Sequence, residues 1–401
     1  MKITDVRVRR LSCAYNEPLD VYSDTAIVNA TDIYPDFRRH AAAARVTITP
    51  VKGPDGALTL TQDYLQIDTD AGISGVVGPI TFPGITYYLL NHIKYTLLGQ
   101  DPMRITYLSD ILYRIGLDQT AGDMTRAASH AEAALWDIKC KYLNVPLYEL
   151  LGGKVRERAP AYVNTAGLPH TDEVLLPIVR QHTQDGAPGV KIYAKYGPRE
   201  GTAGIRATKA TLEKVREAVG PDAFIALEAV CCWDYTYALE LARAIEPIGI
   251  AWLEEPCLPD RMDEYARLRK VCPIPISAGE HSVRRWQFRD MMDKGAADIY
   301  QPEPMWCGGI GEAMSIIDLA GCHNRLIYIH SCIPNVDNHI LIASNPTVCP
   351  MTEYLLTINR AAQYFLKYPS EPVHGMVAPP ETPGIGCDID ESKVEHELWL
   401  D

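Results

Sequence analysis

The sequence lacks an excess of basic residues. Its 401 residues include 38 Lys and Arg against 51 Asp and Glu, which gives a formal net charge of −13. Proteins that bind nucleic acid or anionic membranes usually present a basic face to phosphate, so this balance argues against both kinds of partner. A small anionic substrate is compatible with it, because a bound metal ion can invert the local potential.

Long hydrophobic runs are also missing. No stretch approaches 18 apolar residues, and the opening MKITDVRVRRLSCAY carries charges where a signal peptide needs an apolar core. We therefore expect a cytoplasmic protein.

Paired cysteine motifs are absent. The eleven cysteines, an odd number that includes the adjacent Cys231 and Cys232, show neither CxxC spacing nor paired histidines. We expect most of them to be reduced, buried and small hydrophobic in character, and we expect no structural zinc site.

Eight β-rich segments alternate with amphipathic helical stretches from about residue 125 onward. They are PAYVNTAG (160–167), GVKIYAK (189–195), FIALEAV (224–230), IAWLEEP (250–256), IPISAGE (274–280), ADIYQPE (297–303), RLIYIH (325–330) and MTEYLL (351–356). Mostly apolar strands separated by helices predict a parallel sheet, and eight in succession predict a closed (β/α)₈ TIM barrel. The alternative is an open doubly wound sheet, but NTAGLPHTDE after the first segment contains no GxGxxG.

The segments before the barrel follow another pattern. ITDVRVRRL, RVTITPV and TLTQDYLQIDTDAGISGVVGPI alternate apolar and polar residues, which predicts an antiparallel sheet, and helical patterns follow them. The Pro- and Gly-rich tail cannot continue the helix–strand rhythm, so we expect it to pack back on the first domain. The predicted domains are an α+β domain over residues 1–125, the barrel over 126–364 and the tail over 365–401.

Three glutamates stand at the ends of the third, fourth and fifth predicted strands. Glu228, Glu254 and Glu280 are each separated by 26 residues, about one βα unit, so a barrel would bring them together at its C-terminal face. Any one of them alone could cap a helix or pair with a basic residue. Three converging carboxylates are costly to ionise without a cation, and oxygen ligands favour Mg²⁺. Glu255 is a rival ligand, because alternation points one of the two neighbours elsewhere.

Further candidates flank these carboxylates. Glu303 and His330 end the sixth and seventh strands, and a carboxylate beside an imidazole suits a general base, although a buried His bonded to a carbonyl is the alternative. Lys191, Tyr193 and Lys195 share one face of the second strand. A lysine there would contact a substrate carboxylate or act as a base, unless this is only a solvated basic strand end.

The motifs together resemble the enolase superfamily in its mandelate racemase-like branch, and within it the acid-sugar dehydratases, including the L-rhamnonate dehydratases. The resemblance is carried across most of the chain by ASHAEAALWDIKCKYLNVPLYELLGG, KYGPREGTAGIR, LEAV, WLEEP, GEHSVRRWQFR, YQPEPMWCGG and IHS. It implies a capping α+β domain, formed by the N-terminal segment and the C-terminal tail, whose loops select the substrate. It also implies Mg²⁺-assisted proton abstraction next to a carboxylate, and commonly a homo-oligomer.

Three positions depart from the pattern of that branch. Glu228 and Glu303 stand where Asp is usual, and the paired lysines of the racemases are reduced to Lys191 with Tyr193. Racemisation needs acid or base groups on both faces of the reacting carbon, whereas elimination can proceed from one face. We therefore predict dehydration of a sugar acid to a 2-keto-3-deoxy acid, with His330 as the base. A racemase, epimerase or lactonising enzyme of the same branch, and a silent sugar-acid-binding relative, are the alternatives.

Substrate contacts are predicted in two places. The polar stretch from Asn16 to His40 is a candidate lid, in which Arg38 and His40 are the predicted contacts. His281, directly after Glu280, is a further candidate at the rim of the site.

Overall fold

A computed structural model of the chain describes residues 1–16, 30–34, 49–53 and 56–401. Its strands are β1 (Ile3–Ala14), β2 (Val51–Lys52), β3 (Leu58–Thr69), β4 (Ser74–Val77), β5 (Ala159–Asn164), β6 (Gly189–Tyr193), β7 (Phe224–Glu228), β8 (Ile250–Glu254), β9 (Ile276–Ala278), β10 (Ile299–Tyr300), β11 (Leu326–Ile329), β12 (Met351–Leu355), β13 (Met376–Val377) and β14 (His396–Leu400).

The α-helices of the same residues lie mostly between the strands. They are α1 (Pro83–Tyr88), α2 (Lys94–Leu97), α3 (Ile105–Ile115), α4 (Asp123–Leu143), α5 (Leu147–Leu150), α6 (Asp172–Gln184), α7 (Gly201–Val219), α8 (Tyr235–Ile245), α9 (Met262–Val271), α10 (Arg284–Lys294), α11 (Pro304–Cys307), α12 (Ile310–Cys322), α13 (Pro334–Ala343) and α14 (Leu356–Ala362). Within the described ranges, no helix has the length and apolar character needed to span a membrane.

The N-terminal strands form an antiparallel sheet in the order β14–β1–β3–β2, with β4 also paired to β3. Val8 of β1 faces Leu65 on one side and Leu400 on the other. The predicted antiparallel sheet and the return of the tail onto it are therefore confirmed, because the last strand completes the sheet that the first strand begins.

The eight strands β5 to β12 form a closed parallel barrel. Each strand pairs with the next, and β12 pairs with β5, with Thr352 opposite Ala161. This closure confirms the predicted (β/α)₈ architecture and excludes the open doubly wound sheet.

Helix α4 connects the two parts of the molecule. It packs against β4, α1 and α3 on one side and against α11 and α12 of the barrel on the other. Small buried residues such as Ala127, Ala131 and Ala134 allow this close packing. The contact with β4 is so tight that a β-carbon on Gly75 would overlap the carbonyl oxygen of Ala134. The helix therefore fixes how the antiparallel sheet lies against the barrel.

Large side chains fill the inside of the barrel below its C-terminal end. This barrel floor consists of Tyr162, Ala226, Trp252, Ile299 and Tyr328, contributed by five different strands. The ring of Trp252 lies 5.4 Å from that of Tyr162 and 5.3 Å from that of Tyr328, measured between centroids. The barrel interior is thus a packed core, as is usual for this architecture.

Candidate active site

A polar layer lies directly above the barrel floor. Its members follow the floor residues by two positions, on the same strands or directly after them: Asn164, Glu228, Glu254, Gln301 and His330. Because side chains alternate along a strand, residues two apart point to the same side. The floor therefore sets the direction in which the polar layer faces, toward the C-terminal mouth of the barrel.

The structure brings the three predicted metal ligands together. Glu228 and Glu254 pair in register at the ends of β7 and β8, and Glu280 follows β9. One carboxylate oxygen of each lies within 4.8 Å of the others. Burial, and then the charge of Glu254, raise the pKa of Glu228 well above 4.5. The cluster therefore disfavours three negative charges unless a cation accompanies them.

The donor atoms of this cluster suit a hard divalent ion. Oε1 of Glu228 accepts a hydrogen bond of 2.7 Å from the backbone amide of Val230. Oε2 of Glu228 is buried and accepts no hydrogen bond in the part of the chain that the structure describes, although the ammonium of Lys191 lies 3.3 Å away. Oxygen ligands with a spare lone pair are what Mg²⁺ prefers, so the residues present fit that ion.

Lys191 occupies the centre of the carboxylates. Its side chain is fully buried, and its Nζ bonds to Glu254 and lies 2.6 Å from Oε1 of Glu353 and 3.3 Å from Oε2 of Glu228. Burial alone would lower the pKa of Lys191, but these carboxylates raise it well above 10.5. In return, Lys191 overcomes the effect of burial and lowers the pKa of Glu254 to about 2. Lys191 is therefore a buried cation paired with carboxylates, and the alternative of a solvated strand end does not hold for this residue.

His330 and Glu303 form the expected dyad. Nδ1 of His330 lies 2.9 Å from Oε2 of Glu303, and Nε2 lies 3.3 Å from Oε2 of Glu280. Glu303 is held in turn by two backbone amides that donate to its oxygens at 2.8 and 2.9 Å. Burial disfavours the charged ring, but Glu280 and Glu303 outweigh it and raise the pKa of His330 well above 6.5. The ring is thus oriented with Nε2 toward Glu280.

Trp306, which the sequence reasoning missed, joins the dyad to helix α4. Its ring lies 5.4 Å from the ring of His330 and 6.1 Å from that of His281. The guanidinium of Arg126, on α4, lies 4.4 Å from the same indole. Arg126 of helix α4 therefore contacts the same indole ring that packs near the two imidazoles.

The rival ligand Glu255 faces another group of side chains. The backbone at Glu255 is left-handed, with a φ of 39°. Oε2 of Glu255 lies 2.6 Å from Nδ1 of His281. Burial lowers the pKa of His281, but Glu255 raises it to about 9. His281 lies at the rim, partly exposed, next to Glu280.

The remaining residues of the second barrel strand line the same mouth. Tyr193 accepts a 3.0 Å hydrogen bond on Oη from Asn164, and burial raises its pKa well above 10. Lys195 donates from Nζ to the carbonyl oxygen of His170. Tyr193 therefore lies within the site, whereas Lys195 is bonded to the backbone at the edge of the site.

Four site residues were missed by sequence reasoning: Asn164, Gln301, Trp306 and Glu353. Glu353, on β12, bonds to Lys191 and accepts a 2.6 Å hydrogen bond from Asn164. Its signal was a lone carboxylate in the apolar segment MTEYLL, and the signal of Asn164 and Gln301 was the two-residue offset from the floor, which does not mark Trp306. Arg38 and His40 lie outside the described residues.

Comparisons with known proteins agree with this geometry. Residues 178–393 match the family described as enolase C-terminal domain-like, and residues 45–152 match the N-terminal domain of mandelate racemase and muconate lactonizing enzyme. The two matches together cover strands β2 to β4 of the antiparallel sheet and most of the barrel.

Individual relatives are similar over most of their length. The chain is 29% identical to an L-rhamnonate dehydratase of Saccharopolyspora erythraea over 97% of each chain. It is 33% identical to a D-galactarolactone cycloisomerase of Agrobacterium fabrum, over 73% of this chain and 79% of that one. The crystal structure of a 3,6-anhydro-D-galactonate cycloisomerase from Zobellia galactanivorans superposes with a TM-score of 0.79 at 26% identity and covers 99% of both chains.

Proposed function

The chain belongs to the enolase superfamily, in the group of mandelate racemase and muconate lactonizing enzyme, and from that membership we propose that it is a Mg²⁺-dependent dehydratase of sugar acids. One observation carries the proposal. A carboxylate-oriented imidazole, His330, points Nε2 at a cluster of three glutamates, 3.3 Å from Glu280. A base beside a metal site is what abstraction of a proton next to a carboxylate requires.

Glu228, Glu254 and Glu280 would hold the ion. Their donor set is made of oxygen only, and the buried Oε2 of Glu228 has no hydrogen-bond partner in the described chain. When bound, Mg²⁺ would supply positive charge to the substrate carboxylate and would offset the charge of Glu280 that otherwise keeps His330 protonated.

His330 acts as the base in this proposal. Its Nε2 takes the proton from the carbon next to the carboxylate, and the electron pair of that C–H bond becomes a C=C bond as the β-hydroxyl leaves. The hydroxyl departs as water after taking a proton from His330. The resulting enol rearranges to a 2-keto-3-deoxy acid. Glu303 keeps the tautomer of His330 in which Nδ1 carries a proton and Nε2 is free to accept one.

The wall opposite His330 supports elimination over racemisation. Lys191 is held by three carboxylates that raise its pKa well above 10.5, which disfavours a role as a base. Burial raises the pKa of the Tyr193 phenol as well. The Tyr193 hydroxyl can donate a hydrogen bond to a substrate, whereas the ammonium of Lys191 already faces three carboxylates. We propose that Tyr193 orients the substrate, that Lys191 positions the carboxylates around the site, and that neither serves as a second base.

The substrate contacts extend the proposal to the rim. His281, partly exposed beside Glu280, would donate to a substrate hydroxyl. Arg38 and His40 are proposed contacts from the N-terminal loop.

The test is a screen of mono- and di-acid sugars with Mg²⁺, assayed for 2-keto acid. We expect at least one sugar acid to be converted with loss of one water per turnover, and the conversion to stop when Mg²⁺ is chelated. Exchange of the α-proton for deuterium without keto acid would instead favour a racemase or epimerase. Tight sugar-acid binding with neither exchange nor product would favour a silent relative.

Cycloisomerisation is the second candidate, favoured by the 33% identity to a D-galactarolactone cycloisomerase. Such a reaction can use the same base, because it also rearranges bonds next to a carboxylate. It conserves the mass of its substrate, whereas dehydration lowers it by one water. Mass spectrometry of the products with sugar-acid lactones as substrates separates the two.

A further inference from the structure

A second cluster of metal-ligating side chains lies beside the three glutamates. Cys231 comes from the loop after β7, Glu255 directly follows β8, and His281 comes from the loop after β9. Their donor atoms all lie within 4.8 Å of one another. Cys231 Sγ is 3.1 Å from Oε2 of Glu255, which is 2.6 Å from Nδ1 of His281.

The donor types differ from those of the Mg²⁺ cluster. One sulfur, one imidazole nitrogen and one carboxylate oxygen form a set that hard ions bind poorly and that zinc accepts. We propose that Cys231, Glu255 and His281 form a second, separate site for a thiophilic divalent cation, of which Zn²⁺ is the representative.

The backbone holds the three donors close together. Cys231 and Glu255 adopt left-handed conformations with φ of 57° and 39°, and the amide of Cys231 donates to the carbonyl oxygen of Glu255 at 2.8 Å. Non-glycine residues stay in such conformations only where the surroundings enforce them. These two left-handed residues and the hydrogen bond between them therefore hold the sulfur and the carboxylate close together.

The dimensions of the cluster suit a tetrahedral ion. Zinc bonds of about 2.0–2.3 Å place neighbouring ligand atoms roughly 3.3–3.7 Å apart, so the two observed contacts need to widen by about 1 Å or less. Binding forms one bond to each of the three donors, and the protons of the Cys231 thiol and of Nδ1 of His281 pass to solvent. No electron transfer is involved. The partly exposed His281 leaves a side open to a water molecule as fourth ligand.

The structure contains a similar cluster that is less suitable. Glu303, His330 and Cys332 also bring three donors within reach of one another. Both oxygens of Glu303 already accept backbone hydrogen bonds, at 2.8 and 2.9 Å, and all three residues are buried. A metal there would displace those bonds and would lack a water ligand, whereas Glu255 is bonded mainly by movable side chains.

Cobalt(II) tests the proposal, because a Co²⁺–thiolate bond absorbs in the near ultraviolet and tetrahedral Co²⁺ absorbs in the visible. Full-length enzyme freed of metals by chelation is saturated with Mg²⁺ and titrated with Co²⁺. We expect one equivalent to produce both bands and subsequent Zn²⁺ to bleach them. This readout does not depend on turnover, so it stands or falls separately from the dehydratase proposal.

Single substitutions identify the ligands. Cys231→Ser should abolish the thiolate band, and Glu255→Gln and His281→Asn should each weaken Co²⁺ binding at least tenfold. Cys232→Ser, at the neighbouring residue, and Cys332→Ser, in the similar cluster, are matched controls that should keep the band. Absence of a thiolate band in the unsubstituted enzyme, a band that persists in Cys231→Ser, or its loss in Cys332→Ser would overturn the proposal.

Discussion

Lys191 shows how a single side chain can make an acidic site stable. Three carboxylates lie around its ammonium group in a fully buried environment. Buried charges of one sign are unfavourable unless they are paired, and removal of one partner leaves the others uncompensated. Lys191 and a divalent cation would therefore share the neutralisation of the same carboxylates.

This sharing predicts a stability effect that depends on metal. Lys191→Met should lower the free energy of unfolding by about 3–5 kcal/mol in the presence of a chelator. Saturating Mg²⁺ should restore part of that loss, because the ion neutralises the carboxylates that the lysine has left. Urea unfolding with and without Mg²⁺ measures both values. Lys209→Met, on the exposed side of α7, is the control, and an equal loss under both conditions would contradict the prediction.

The dyad gives a second prediction for a single residue. His330→Asn removes the proposed base but leaves Glu228, Glu254 and Glu280 in place. The rate of 2-keto acid formation should fall by about 10²–10⁴, the usual contribution of a general base. Mg²⁺ affinity, measured by calorimetry, should stay within about threefold, because the ring is not one of the proposed ligands. A variant that dehydrates at the original rate would remove His330 from its proposed role.

At the scale of elements, helix α4 joins the antiparallel sheet to the barrel. It contacts β4 closely at Gly75 and, through Arg126, the ring of Trp306 in the site. A change at the sheet end of this helix can therefore reach the imidazoles without touching the barrel strands.

Two glycine substitutions test this packing. Gly75→Ala places a β-carbon onto the carbonyl oxygen of Ala134, a backbone atom that cannot swing away. We expect a loss of about 1–3 kcal/mol in unfolding free energy, as for other overpacked sites. Gly321→Ala, inside α12, meets only Val348 at 3.5 Å, and should be neutral or stabilising by up to about 1 kcal/mol. Chemical denaturation compares the two; equal effects would show that the β4–α4 contact is looser than described.

For the whole molecule, buried histidines link stability to pH. Burial lowers the pKa of His130 and His170 to about 4 and that of His339 to about 3. These residues take up protons near pH 6.5 when unfolded but only at lower pH when folded. Their contribution to stability is therefore complete above pH 6.5 and is lost progressively as the pH falls toward 4.

We predict that the unsubstituted protein loses stability more steeply in acid than a variant without His339 does. His339 lies in α13 against the ring of Tyr148 and accepts a 3.3 Å bond from its amide. His339→Gln should reduce the slope of unfolding free energy against pH, between about pH 6 and 4, by about one proton, or about 1.4 kcal/mol per pH unit. Denaturant unfolding across this range measures the slope, and parallel curves for both proteins would refute the assignment.

The sequence predicted the barrel because eight apolar strands with helices between them have one common arrangement. It also predicted that Glu228, Glu254 and Glu280 would meet, since equal spacing places them at neighbouring strand ends; their role as metal ligands stays a prediction. It did not predict Glu353 beside Lys191, because the two side chains lie on non-adjacent strands and a lone carboxylate in MTEYLL does not show which side chain it faces inside the barrel. Nor could alternation alone decide between Glu254 and Glu255, whose directions depend on a left-handed residue after β8.

The barrel floor determines the route by which molecules reach and leave the polar layer. Tyr162, Trp252 and Tyr328 fill the barrel below the polar layer, so the polar layer is reached from the C-terminal mouth. In the proposed dehydratase reaction, the sugar acid, the keto acid and the released water would therefore all pass through the C-terminal mouth of the barrel. Product release through this mouth would then have to precede binding of the next substrate, so the rate of release would set an upper limit on the turnover rate.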